Sequence, residues 1–318
     1  MSSCGRRYHN RCGNPDVREN SGRRSTKRVP PLDAWSDLDR TTEELVRQLT
    51  ELSAFGFELV EPHRRNVASS WHTWRAATLF IVVVRYIDAV AHYAAAFSSE
   101  RQIPTEPLAT LVRGLMEASD ALHYAYFDRM ASEERELRRL VGALHHAREE
   151  REFRQLITVG EGDWMSNFGG LGGFIAEREI GDNAAFKRLS EAQQCELRSA
   201  RRHRSGILPR HTLPFGWSKE ELEAAYKFLS NFAHSTMWSE YGAAIRATDK
   251  LGTQSALLFA THIAAWTIER YCRRRAKLAK RLSDAQRARL RAFSRHQTMK
   301  ELRILWKPTQ ERWSSKEG

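Results

Sequence analysis

Residues Trp71–Phe97 read WHTWRAATLFIVVVRYIDAVAHYAAAF, and the fold turns on what this stretch is. It runs for about seven helical turns without a proline or glycine. It is apolar nearly all round, the pattern of a helix buried in the middle of a larger protein. From Ala76 onward it is also long enough to cross a bilayer. Arg85, Asp88 and His92 fall inside it, and a lone span would expel them at roughly several kcal/mol. The reading that accommodates them is the central core helix of a soluble, cytoplasmic bundle. Arg85 and Asp88, three residues apart, can then pair on one face.

The flanking sequence is helical on both sides. Thr41 with Glu44 forms a capping-box pattern ahead of Leu45, Leu49 and Leu52, and Pro62 interrupts this segment. Pro104 and Pro107 mark a turn, after which Leu108–Met130 carries Leu111, Leu115, Leu122 and Tyr126 near helical spacing. Glu133–Leu156 is highly charged with an inner stripe of Leu137, Leu140, Leu144 and Phe153. Six glycines crowd residues 158–174: Gly160, Gly162, Gly169, Gly170, Gly172 and Gly173. No Gly-Lys-Ser/Thr follows and the spacing is not GxGxxG, so the run reads as a loop joining two halves of a bundle. Phe174–Arg204 is a polar helical stretch. Ser218 with Glu221 is a second capping box and opens a helix reaching His234. Thr253–Arg275 is a largely apolar helix that turns basic at its end, which suits the helix dipole. Residues 284–306 form a last amphipathic helix with Leu290, Phe293, Leu302 and Leu305 inside. No strand pair, Asn-Gly hairpin or repeat is visible. The expectation is all-α: a multi-helix bundle over 31–269, a basic helical C-terminal extension over 270–318, and a disordered basic tail over 1–30.

Charge follows that division. The chain has 318 residues and a formal net charge of +12. Residues 1–30 hold 8 basic and 2 acidic side chains, residues 270–318 hold 16 and 4, and residues 31–269 hold 27 and 33. Basic ends attract polyanions, so RNA or DNA is the expected partner. Arg273, Arg274, Arg275, Lys277, Lys280 and Arg281 are the densest run. A solvated tail and helix face explains the same charge. Four cysteines in this length exclude a disulfide-stapled scaffold. Cys4, His9 and Cys12 make half of a zinc pattern without a second half. HExxH, CxxC and GxSxG are missing, which speaks against metallohydrolases and serine hydrolases, so no metal or cofactor is expected.

Three helices carry polar groups within apolar faces. These are Arg85 with Asp88, Arg113 with Glu117 and Asp120, and Tyr226 with Lys227, Ser230, Asn231 and His234. Tyr226, Ser230 and His234 are four apart and share a face. Such a cluster either fixes helix register as a polar network or holds a phosphate in a cleft. His262, on an apolar helix, reads as a satisfied core histidine.

Arg85, the Arg113-x-x-x-Glu117 pair and the late Tyr226-x-x-x-Ser230-x-x-x-His234 helix resemble an uncharacterised bacterial all-helical family over about residues 70–240. The late helix is also similar to the HEPN superfamily of helical bundles. That resemblance implies a homodimer and metal-independent cleavage of RNA in a toxin or phage-defence setting; a separate reading is a module that docks an operon-encoded partner. It assigns His234 as general base or acid, Lys227 to the phosphate charge, and Ser230 and Asn231 to positioning, with Arg113 reaching across. Lys227 stands where the superfamily has arginine, followed by Phe228. The other reading is a non-catalytic RNA- or DNA-binding or docking module, in which Arg85, Arg113, Glu117 and Tyr226 are a structural lock.

Overall fold

The computed structural model describes residues 41–60, 71–98, 103–157, 169–199, 201, 206–233, 246–295 and 298–314. They all fall in one compact unit, Asp39–Gly318. Among them the chain forms twelve α-helices and no strand. These are α1 (Thr42–Val60), α2 (Trp71–Ser98), α3 (Thr105–Leu122), α4 (Ser132–Ile157), α5 (Gly169–Ile180), α6 (Ala184–Lys187) and α7 (Glu191–Ser199). The second half holds α8 (Lys219–Ala233), α9 (Arg246–Arg274), α10 (Ala276–Ala279), α11 (Asp284–Ser294) and α12 (Thr298–Ser314). A π turn, His123–Phe127, prolongs α3, and a 3-10 turn, Pro214–Gly216, precedes α8. The chain is therefore an all-α multi-helix bundle. Residues 1–30, with Cys4, His9 and Cys12, lie outside the described residues.

The main core gathers α1, α2, α3, α8 and α9, with α11 and α12 closing it. The central helix is not α2, as hydropathy suggests, but α9. Every residue from Ser255 to Glu269 is buried. Its polar groups are bonded inside: Thr261 donates to the Leu257 carbonyl at 2.8 Å, and His262 Nε2 lies 2.8 Å from the Phe215 carbonyl. His262 also stacks on Trp217, so the core-histidine reading holds. Helix α2 buries one face, with Phe80, Val83, Val84, Ile87 and Val90, and leaves Ile81, Val82 and Ala89 only partly covered. Phe80 lies flat on Tyr271 of α9 at 3.7 Å between ring centres. Composition alone overstated α2 because burial of α9 is permitted by internal hydrogen bonds, not by hydrophobicity.

Residues 270–318 are mostly helical where described. Leu282, Leu290, Phe293 and Leu302 join the main core, so the basic extension is packed into the bundle. The stretch expected as one last helix holds two, with Leu290 and Phe293 on α11 and Leu302 on α12. Ser218 and Glu221 make both bonds of their capping box. Thr41 makes one, to the Glu44 amide, while the Glu44 carboxylate turns to Arg47 and Gln48.

Helices α4 to α7 form a second, smaller core around Leu137, Leu140, Val141, Ile180, Phe186 and Leu197. Here the glycine-loop expectation is corrected: Gly169, Gly170, Gly172 and Gly173 belong to α5. A Cβ at Gly173 would collide with the Cβ of Ala147 on α4. The glycine permits close helix approach rather than a turn, and a methyl on a backbone stub cannot rotate away. Gly173→Ala is expected to cost about 1–3 kcal/mol despite alanine's better helix propensity. A urea melt showing equal or greater stability would refute the close-approach reading.

Candidate functional site

Three of the four residues assigned to the polar cluster come together. Arg113 Nε donates to Glu117 at 3.0 Å and Arg113 Nη2 donates to the Tyr226 hydroxyl at 2.9 Å. The Tyr226 hydroxyl lies 3.4 Å from Glu117, and the Arg113 guanidinium sits 5.1 Å from the Tyr226 ring centre. Burial would lower the Arg113 pKa, but the bonds to Glu117 and Tyr226 outweigh it and raise it. Arg85 does not join them. It is exposed on α2, and its expected partner Asp88 instead takes Ser53 and His92. Asp120 pairs with Arg210. On α8, Lys227 is exposed, Asn231 is half-buried, and the Ser230 hydroxyl is buried without a partner among the described residues. His234 lies outside the described residues.

A second polar network, not anticipated from the sequence, is far more buried. Asp128 ends the π turn with a side chain 0% exposed, and Arg138 of α4 is 2% exposed. Arg138 Nη1 donates to Asp128 at 2.9 Å and to the Tyr124 carbonyl at 2.9 Å. Its Nη2 donates to Glu134 and to the Pro209 carbonyl. Asp128 also accepts from the amides of His211 and Thr212 and from the Thr212 hydroxyl. Burial would raise the Asp128 carboxyl, but the His211 amide, the Thr212 hydroxyl and Arg138 hold it below the usual range. The network clamps residues 209–212 onto the π turn.

His123 faces the same segment, with Nε2 2.9 Å from the Thr212 carbonyl, and burial holds its pKa below the ordinary histidine value. For both groups the unfolded chain binds the proton more readily. Stability is thus full at neutral pH, begins to fall below about pH 6.5 as unfolded His123 charges, and falls again below about pH 4 with Asp128. His123→Gln is expected to flatten the first decline in urea unfolding between pH 7 and 5. An unchanged slope would show that His123 does not carry it.

A polar cleft of about 460 Å³ with an aromatic floor lies between the 215–217 turn, α9, α11 and α12. Trp217, His262 and Trp266 line its buried side. Arg270, Arg273, Arg295, Lys300 and Arg303 line the rest. Among the described residues two acids line the cleft with them, and both are engaged: Glu221 in its capping box and Glu269 by Arg273. The Thr298 hydroxyl on this wall is buried without a partner among the described residues. Arg270 sits 5.2 Å from the Trp266 ring centre. Burial lowers its pKa, and crowding by Arg273, Arg129 and Arg274 lowers it further against the pull of Glu269. An adjoining recess of about 490 Å³ shares Glu221, Met299 and Arg303 and is lined by Phe228, Phe259 and Trp306.

Of the basic run, only Arg273 faces this cleft. Arg274 is committed to the Phe127 carbonyl, Arg275 is half-buried at the start of α10, and Lys277, Lys280 and Arg281 are exposed beyond it. The sequence signal for the cleft was weak because its aromatics come from segments distant from its cations. Among the described residues no three His, Cys, Asp or Glu side chains converge as metal ligands. Burial pushes the Cys272 thiol up to about 12, which leaves it inert as a nucleophile.

Nothing matches. No family model, no curated protein and no solved structure is similar to this chain.

Proposed function

We propose that this chain binds single-stranded nucleic acid, RNA foremost, in the cationic cleft. The observation that carries the reading is five cations gathered over buried aromatics with both facing acids already engaged. Phosphates need the cations, and an unpaired strand supplies bases for the adjoining apolar recess, which a closed duplex withholds. Lys277, Lys280 and Arg281 are exposed and add to the chain's positive surface. The reading keeps the binding half of the sequence expectation and treats Arg113, Glu117 and Tyr226 as a lock between α3 and α8, because their hydrogen-bonding groups are turned on one another.

The test is fluorescence anisotropy of a labelled single-stranded RNA at several KCl concentrations, with duplex RNA and single-stranded DNA beside it. If all five cations meet phosphates, log K against log salt should have a slope of about −3 to −4. Duplex RNA should bind more weakly. Absence of binding, or salt-independent binding, would refute the proposal. The HEPN-like resemblance adds metal-independent cleavage with His234 as general base or acid. Its own arm is the same RNA in EDTA with wild type and His234→Ala. Products ending in cyclic phosphate from wild type alone would add ribonuclease activity to binding.

A further inference from the structure

The first turn of α12 forms part of the wall of the cationic cleft. Thr298, Met299 and Lys300 open the helix, and all three line the cleft. The first amides of an α-helix have no partner inside the helix, and the helix dipole places positive charge at the same end. Thr298 adds an independent observation. It is 1% exposed, and its hydroxyl is buried with no hydrogen-bond partner among the described residues. Burying a hydroxyl unbonded is costly, so such a group on the wall of a cleft points to a partner supplied by the ligand. Lys300 within this turn and Arg295 and Arg303 to either side of it in sequence are exposed and line the same cleft.

Two features would oppose an anion here. The first is the negative end of α11, which reaches the cleft through Ser294 and Arg295. Its Ala292 and Phe293 carbonyls accept from the Arg295 amide, and the Ser294 hydroxyl donates to the Arg291 carbonyl. The second is Glu301, which is buried and is not among the residues lining the cleft.

A hydroxyl, helix N-terminal amides and cations make the donor set of a phosphate site. A phosphomonoester at a strand end suits it better than a diester within the strand. The monoester carries about −1.5 to −2 at neutral pH, more than the single charge of a diester, and a third unesterified oxygen. A chain end also reaches a buried hydroxyl that a diester, held off by a sugar on each side, does not. We propose that the N-terminus of α12 binds the terminal phosphate of the single strand, with the Thr298 hydroxyl as one of its ligands. This rests on the reading of the cleft as a single-strand site and adds the part of the strand that is anchored there.

The test is anisotropy of one internally labelled RNA sequence made with a 5′-phosphate, with a 3′-phosphate, or with hydroxyls at both ends. At least one phosphorylated form is expected to bind about tenfold or more tighter than the hydroxyl-ended strand, and the end that does so gives the direction of the strand. Thr298→Val should cut that ratio about tenfold, the loss of one hydrogen bond to a charged group. Because the hydroxyl has no partner to lose, this variant should melt no lower than wild type. Equal binding of the three strands by wild type would overturn the terminal-phosphate site and leave the cleft reading standing. A ratio left intact by Thr298→Val would do the same. Absence of binding by every strand would overturn both. If Thr298→Val fails to fold, Thr298→Ala removes the same hydroxyl and is read in the same way.

Discussion

In urea, Asp128→Ala is expected to unfold about 3–5 kcal/mol more easily than the wild-type chain. The substitution leaves the Arg138 guanidinium charged and 2% exposed with its central acceptor gone. It also strips acceptors from the His211 and Thr212 amides. Against a typical total stability of about 5–15 kcal/mol, such a loss brings the chain close to unfolding. The double variant Asp128→Leu/Arg138→Met should be less damaged than the single one, because both buried charges are then removed together. A loss under about 1 kcal/mol in Asp128→Ala would mean that the bonds from Arg138 to Glu134 and to the Tyr124 and Pro209 carbonyls suffice without Asp128.

The second large effect is on binding. Arg295→Glu/Arg303→Glu is expected to weaken single-stranded RNA by about a hundredfold or more at moderate salt, because attraction to phosphate becomes repulsion. Both side chains are exposed and neither is in an ion pair among the described residues. Their replacement should therefore change folding stability by about 0.5 kcal/mol or less. Anisotropy and a thermal melt on the same preparation separate the two quantities. Unchanged affinity with an unchanged melt would move the interface off this cleft, with Lys277, Lys280 and Arg281 the next surface to reverse.

The helices were legible because their signals are local. Ser218 and Glu221 are three residues apart and cap one another as the spacing implies. Arg113 and Glu117 are one turn apart and pair. What was not legible depends on distant chain. The rank of α9 as central helix rests on His262 finding the Phe215 carbonyl, 47 residues away. Asp128 follows a π turn that has no signature in composition, and its partners at 211 and 212 are 83 and 84 residues off. The cleft joins Trp217, Trp266 and Arg303, which no short window contains. Arg85 is exposed on α2 rather than in the cluster, and Ser53, on another helix, takes the acid expected to pair with it.

The clasp of Asp128 on Thr212 closes a detour of 84 residues at its own starting point. Within that detour lie α4 to α7 and their separate core. A chain that departs and returns at one carboxylate has a built-in cassette. Doubling the length of a flexible closed loop adds only about 0.6 kcal/mol of closure entropy. Variation in the number or length of the detour's helices is thus decoupled from the register of α3, α8 and α9. Such a layout gives evolution a place to exchange a whole subdomain while the surrounding helices keep their neighbours.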